Sequence, residues 1–273
     1  MGVMSRARDP RFFQIATLTS LVGYGFSYLD FHVSVEIGLT ILVASLATQW
    51  AASRLAGLPR FDPKSALISA LSLCLLLRTG SLPLAALTAV VTIGSKFAIR
   101  FHGRHIFNPT NFGLAVMVVA TNAVWVSPGQ WGASAFAAFA FAGLGGLVTY
   151  RAATSDVTFS FLLSYSGILC ARALWLGDPL SLPLHQLQSG TLLLFAFFMI
   201  SDPKTTPDSR LGRIVFACSV AAGAAFVQFA LFEPNGLLWS LVVCSPLTPV
   251  LNRLLPGRRY QWQWTPVPER SFA

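Results

Sequence analysis

The chain has 273 residues with a net charge of +9; 54% of its residues are hydrophobic and 11% charged, and its mean hydropathy is +0.64. A soluble domain carries about 25% charged residues, so this composition excludes a water-soluble globular protein and leaves a bilayer as the solvent. The basic excess does not imply nucleic acid, because no Arg/Lys cluster interleaved with aromatics marks a polar binding face.

A bilayer core of about 30 Å is crossed by runs of roughly 20 apolar residues. Ten such runs follow in chain order: 12–29, 35–55, 65–77, 82–100, 110–126, 131–150, 157–176, 187–200, 212–232 and 235–255. Met1 to Pro10 is short and basic, has no small-residue cleavage site and leads straight into the first run, so it is expected to stay uncleaved. With a cytoplasmic N-terminus, 17 of the 19 Lys and Arg residues fall in inner loops, leaving Arg78 and Arg172 on or toward the outer side with Asp30, Glu36, Asp178 and Glu233. The positive-inside rule then predicts ten spans in a bacterial cytoplasmic (inner) membrane with both termini cytoplasmic, and residues 257–273 form a cytoplasmic tail. Arg172 either snorkels to the outer interface or pairs with an acid, Asp178 and Glu233 being available.

The third and eighth runs are short, and they match. Ser65, Arg78 and Pro83 return as Ser189, Asp202 and Pro207 at a constant offset of 124 residues, and Phe107-Asn108-Pro109-Thr110-Asn111 returns one residue out of phase as Phe232-Glu233-Pro234-Asn235-Gly236. One structural unit is used twice. Five spans separate the copies, an odd number, so the halves, at about 9–128 and 129–256, are expected to be inverted within a single membrane domain, 1–273.

Cys74, Cys170, Cys218 and Cys244 lie singly in different runs without CxxC spacing, so no zinc or iron–sulfur site is expected. His32, His102, His105 and His185 fall near span ends rather than inside facing helices, which argues against haem. The proline junctions are the chemically distinctive places. In Asn108-Pro109 the asparagine can cap free amides and the proline fits the first helical position; Asp202-Pro203 reads as a second helix start, with Asp202 as its cap. Lys96, Arg100, His102, Arg104 and His105 precede Asn108, so a helix N-terminus and side-chain donors are available to an electron-rich ligand such as a flavin, a quinone or a small amide.

Phe107 to Ala115, with Phe197-Phe198-Met199-Ile200-Ser201-Asp202-Pro203-Lys204-Thr205-Thr206, resembles the membrane family that contains RnfD and NqrB, subunits of the Rnf electron transport complex and of the sodium-pumping NADH:quinone reductase. Lys64 to Ile68, Ser189-Gly190 and Gly212 to Phe216 fit the same resemblance, which covers roughly residues 60 to 260. The N-terminal Asp9 to Gln14 and Gly57 to Asp62 look closer to short stand-alone, UnbU-like members. The resemblance implies an all-α fold of ten helices, a 5+5 inverted repeat like that of urea transporters. It also implies an electron-transferring membrane subunit with membrane or periplasmic redox partner subunits. Flavinylated members carry a threonine in the outer loop between spans 5 and 6; here that loop is Val126-Ser127-Pro128-Gly129-Gln130, without threonine. Covalent FMN is therefore not expected, and a non-covalent riboflavin/FMN or quinone is. The expected cofactor-binding residues are Asn108, Thr110, Asn111, Asp202 and Thr205, with Lys96, Arg100 and Lys204 supplying positive potential; no catalytic residue and no metal are assigned. The competing expectation is a channel or transporter for a small neutral solute on the same fold.

Overall fold

A computed structural model describes residues 10–28, 34–58, 61–127, 145 and 155–258. The described residues are almost entirely helical. The elements are α1 (Pro10–Tyr28), α2 (Val35–Leu55), α3 (Pro63–Leu76), β1 (Leu77–Arg78), α4 (Leu82–Ala98), β2 (Arg100–Phe101), β3 (Arg104–His105), α5 (Pro109–Ala120) and β4 (Trp125–Val126). They continue with α6 (Ser155–Leu176), α7 (Ser181–Leu187), α8 (Gly190–Leu194) running into a π-helical turn (Phe195–Met199), α9 (Arg210–Phe229), α10 (Gly236–Cys244) and α11 (Leu247–Leu254).

Local chemistry explains the helix starts. The hydroxyls of Ser34, Ser81 and Ser209 accept from the amides of Ile37, Leu84 and Gly212, and the side-chain oxygen of Asn108 accepts from the Asn111 amide. Proline occupies the first turn of α3, α4 and α5, where its missing N–H sacrifices no helical bond. The His102-Gly103 pair joins β2 to β3 with both residues at positive φ, 47° and 78°, the geometry of a two-residue hairpin turn.

Helices α2, α6 and α9 are individually long and apolar enough to cross a membrane, and α10 with α11, bent by 49°, supplies a fourth span if counted as one. The protein is thus an all-α, multi-pass membrane protein. Of the expected runs, 35–55 is reproduced at both ends, and 12–29, 65–77, 82–100, 157–176 and 212–232 to within three residues. Two differ in kind. The run 110–126 is helical only to Ala120 and then turns into β4, and 187–200 is a five-residue helix followed by a π-helical turn. The run 131–150 lies outside the described residues except Gly145, where a Cβ would come within 2.4 Å of the Phe197 ring. Pro128 to Gln130, and all of the 257–273 tail beyond Arg258, also lie outside them.

The two short, echoed runs form the centre of the molecule. Ser69 to Arg78 and Leu192 to Ser201 are buried at every position, whereas α2 exposes Val35, Leu39 and Val43 and α6 exposes Phe159 and Leu163, each four residues apart. A helix apolar all round is enclosed by protein, and one apolar stripe facing outward is what lipid selects. Irregular backbone at that depth must be satisfied internally. Accordingly, β1 pairs with β4, the Ser127 amide donates to Leu76 O at 2.9 Å, Thr158 Oγ1 donates to Ala196 O at 2.9 Å, and Asn108 Nδ2 donates to Met199 O at 3.2 Å.

The long helices pair by direction. Lys96 near the C-terminus of α4 bonds Gln49 near that of α2. Helices α6 and α9 run parallel, with Asp156 bonded to Arg213 at their starts and Arg172 over the Phe229 ring at their ends. Arg104, just after α4, bonds Asp208, just before α9, so the first pair ends where the second begins. Close approach is set by glycine in both pairs of neighbours: a Cβ on Gly113 of α5 would lie 1.8 Å from Thr92 Oγ1 of α4, and one on Gly223 of α9 would lie 2.5 Å from Ser240 Oγ of α10.

Candidate functional site

The contacts of Arg11, Lys96, Arg104 and Arg213 mark one end of the molecule, called here the basic end; Arg172, Asp178, His185 and Glu233 mark the other. Arg172 stands 3.7 Å from Asp178 with its side chain 41% exposed, so it both reaches the surface and pairs with the acid. Arg78 does not reach the surface: it is 5% exposed, and its NH1 donates to Leu77 O at 2.9 Å.

Two helix N-termini meet in the interior. Asn111, in the first turn of α5, donates through Nδ2 to Leu238 O, in the first turn of α10, at 3.1 Å. Above this contact, toward the end marked by His185 and Glu233, opens a cavity of about 790 Å³. Asn111 and Met199 lie on its floor, Tyr165, Gln228 and Phe195 on its wall, and His185, Ser189 and Glu233 toward its mouth. Tyr165 donates to Gln228 Oε1 at 2.7 Å, which fixes both polar groups inside otherwise apolar helices. Three buried polar atoms of the lining, Asn111 Oδ1, Ser127 Oγ and Gln186 Oε1, have no hydrogen-bond partner among the described residues. The orientation of Asn111 is settled by its neighbour: flipping the amide would set its oxygen against the Leu238 carbonyl. The cavity therefore offers two bare acceptors and one hydroxyl, and of these Asn111 lies where the positive ends of the α5 and α10 dipoles meet.

On the basic side of Met199 a small hollow of about 50 Å³ is lined by Asn108, Thr110, His105, Asp202 and Lys204. The Asn108–Met199 hydrogen bond separates it from the large cavity. Loss of Asn108's side chain would cost about 1 kcal/mol as a cap and leave the Met199 carbonyl with only the long bond from the Asp202 amide, at 3.5 Å. Asp202 is not a helix cap. Its carboxylate accepts from the Lys204 amide at 3.0 Å, its carbonyl accepts from Thr205 and Thr206, and the next helix begins eight residues on, under Ser209. The reason is Pro207: it keeps the chain in a turn that Arg104 clamps from outside, through Pro203 O and Lys204 O at 2.7 and 3.1 Å and Asp208 Oδ1 at 2.7 Å.

Burial alone would raise the Asp202 carboxyl, but His105, 3.7 Å away, together with the amide and ammonium of Lys204, outweighs it and holds the carboxyl below its ordinary value. Burial lowers Lys204, as do Arg11 and Arg100, against Asp202 and Asp62, which raise it.

The expected site residues are thus divided. Asn111 faces the large cavity; Asn108, Thr110, Asp202 and Lys204 face the small hollow; Thr205 is buried with its hydroxyl on Asp202 O. Lys96 and Arg100 line neither: Lys96 Nζ donates to Gln49 Oε1 at 3.0 Å, and Arg100 is exposed beside the Phe97 ring. Sequence reading passed over Ser127 and Gln186, for which no pattern exists, and Tyr165 and Gln228, whose signal was available as polar side chains inside apolar runs.

The profile of the NQR2, RnfD, RnfE family matches residues 123–261 of the chain. Among curated proteins, the RnfD subunit of the ion-translocating oxidoreductase complex of Tolumonas auensis is 31% identical over 80 residues, 29% of this chain and 23% of that protein. The Klebsiella pneumoniae protein of the same name is 29% identical over 116 residues, 42% and 33% of the two chains. The Escherichia coli O1:K1 protein is 26% identical over 141 residues, 51% and 35%. The matched part of the chain therefore spans between 23% and 35% of these relatives' length.

Proposed function

The chain belongs to the NQR2, RnfD, RnfE family, and on that premise we propose that it is a membrane subunit of an ion-translocating oxidoreductase complex, holding a non-covalent flavin in the large cavity and exchanging electrons with partner subunits. The observation that carries the flavin is the set of unpaired atoms facing one space. Asn111 Oδ1 and Gln186 Oε1 require N–H donors, and Ser127 requires an acceptor. The imide N–H of an isoalloxazine ring can donate to one of these amide oxygens while a flanking carbonyl accepts from Ser127, whereas an oxidised quinone ring offers only acceptors and would leave both amide oxygens bare. The volume of about 790 Å³ is within the range of small-molecule sites. A bound flavin would supply one- and two-electron chemistry. The protein's part is to seat the ring on Asn111, exclude water with Phe195 and Leu114, and favour the anionic reduced form through the two helix N-termini.

The same reading takes the chain as a 5+5 inverted repeat of ten spans in a bacterial inner membrane, with both termini cytoplasmic. The two oppositely directed helix pairs, the matched glycine contacts and the meeting of the α5 and α10 N-termini support it. A solute channel is favoured by one observation: Met199 lines both the large cavity and the basic-side hollow, so the two spaces meet at Met199 and its hydrogen bond from Asn108.

Visible absorption of the purified protein, with extraction after denaturation, tests the reading. Flavin should be released and the residual chain should have its bare mass. Asn111→Leu should lower occupancy about tenfold, the equivalent of one lost hydrogen bond of about 1.4 kcal/mol. Protein free of flavin, whose liposomes pass urea at a rate that Asn111→Leu changes, would replace electron transfer with the channel.

A further inference from the structure

The basic end carries another hollow, of about 550 Å³, that electron transfer leaves unused. Its lip is apolar: Phe101, Val250 and Leu254 are 48%, 51% and 69% exposed. Its inner wall is polar and internally paired, with Arg104 on Asp208 and the Asp208 amide on Asn252 Oδ1. Two cations of the lining are different. Lys204 and Arg253 make no ion pair or side-chain hydrogen bond among the described residues, and the Asp202 carboxylate bonds the Lys204 amide rather than its ammonium.

Helix α11 shows which way the lip faces. Thr248 and Asn252 turn inward, onto Thr205 O and the Asp208 amide, while Leu247, Val250 and Leu254 turn outward. A helix with its polar face on protein and its apolar face outward lies against hydrocarbon. The hollow thus joins a lipid-facing apolar lip to two cations that make no ion pair among the described residues. Burial and the nearby Arg11 and Arg100 disfavour the charge on Lys204, Asp202 and Asp62 oppose them, and a bound anion would add to the opposing side.

We propose that this hollow binds an anionic phospholipid, its phosphate on Lys204 and Arg253 and an acyl chain along Phe101, Val250 and Leu254. A neutral amphiphile leaves the cations unanswered, and free phosphate leaves the lip unfilled. Native mass spectrometry of the full chain, released from detergent with dioleoyl phosphatidylglycerol, dioleoyl phosphatidylcholine or inorganic phosphate, distinguishes these. Phosphatidylglycerol should be retained preferentially. That preference should fall about fivefold for each cation removed in Lys204→Gln and Arg253→Gln, and survive in Lys204→Arg. Val250→Trp fills the lip while keeping both cations, and should also lose the lipid. Lipid-free unfolding temperatures close to that of the parent protein establish that the variants fold. Equal retention of phosphatidylcholine, displacement of the lipid by an equal concentration of phosphate, or a preference unchanged in the double variant or in Val250→Trp overturns the proposal.

Discussion

At the scale of single residues, Asp202 illustrates how one side chain takes its role from its surroundings. Aspartate before proline is a common helix start, yet here the carboxylate closes a turn and sits by His105 while Ser209 caps α9. Its folded-state pKa lies below the unfolded value of about 3.9. The ionised carboxylate therefore stabilises the fold fully above that value, and the contribution is lost as pH falls through the lower folded pKa. The stability difference between the parent protein and Asp202→Asn, read by thermal unfolding, should shrink as pH falls below about 4. A difference that grows below that pH would mean the charge is unfavourable in the fold.

At the scale of elements, the shared device is a glycine that lets two helices touch through a hydroxyl-bearing neighbour. The two contacts are not equally forgiving. On Gly113 a methyl would meet Thr92 at its oxygen, at Cβ 2.9 Å away and at Cα 3.0 Å away, so α4 and α5 must separate. On Gly223 the nearest atom is Ser240 Oγ, with the Ser240 Cβ at 3.3 Å. Gly113→Ala should destabilise by about 1–3 kcal/mol, the usual cost of overpacking, and Thr92→Ala should not rescue it. Gly223→Ala should be partly rescued by Ser240→Ala, although that change also gives up the bond from Ser240 Oγ to Val220 O. Equal rescue in both pairs, read as unfolding midpoints in one detergent, would contradict the geometry.

At the scale of the whole molecule, the ends are distinguished by charge. Arg11 with Asp62, Arg104 with Asp208 and Arg213 with Asp156 gather at one end, and Arg172 with Asp178 stands at the other. The proposed topology puts the basic end in the cytoplasm, as positive-inside insertion expects. Reporter fusions after Gly257 and within 178–186 should report opposite sides of the membrane, the first cytoplasmic. The same side for both would remove the ten-span topology and, with it, the inversion of the halves.

Sequence alone determined the features set by local chemistry and solvent: a lipid environment, the long apolar helices, the capped start at Asn108 and the pairing of two short runs by position. These depend on residues a few steps apart, or on the bulk cost of placing charge in hydrocarbon. Only the tertiary structure decided that the short runs are enclosed by protein and that the eighth is broken by a π-helical turn. It also decided that Asn111 faces one cavity while Asn108 and Asp202 face another, and that Lys96 is committed to Gln49. Ser127 and Gln186, which carry two of the three unpaired atoms of the candidate site, lie 59 residues apart and have no common motif. What brings them together is the requirement that irregular backbone inside a membrane be satisfied by distant partners, and no local pattern encodes those partners.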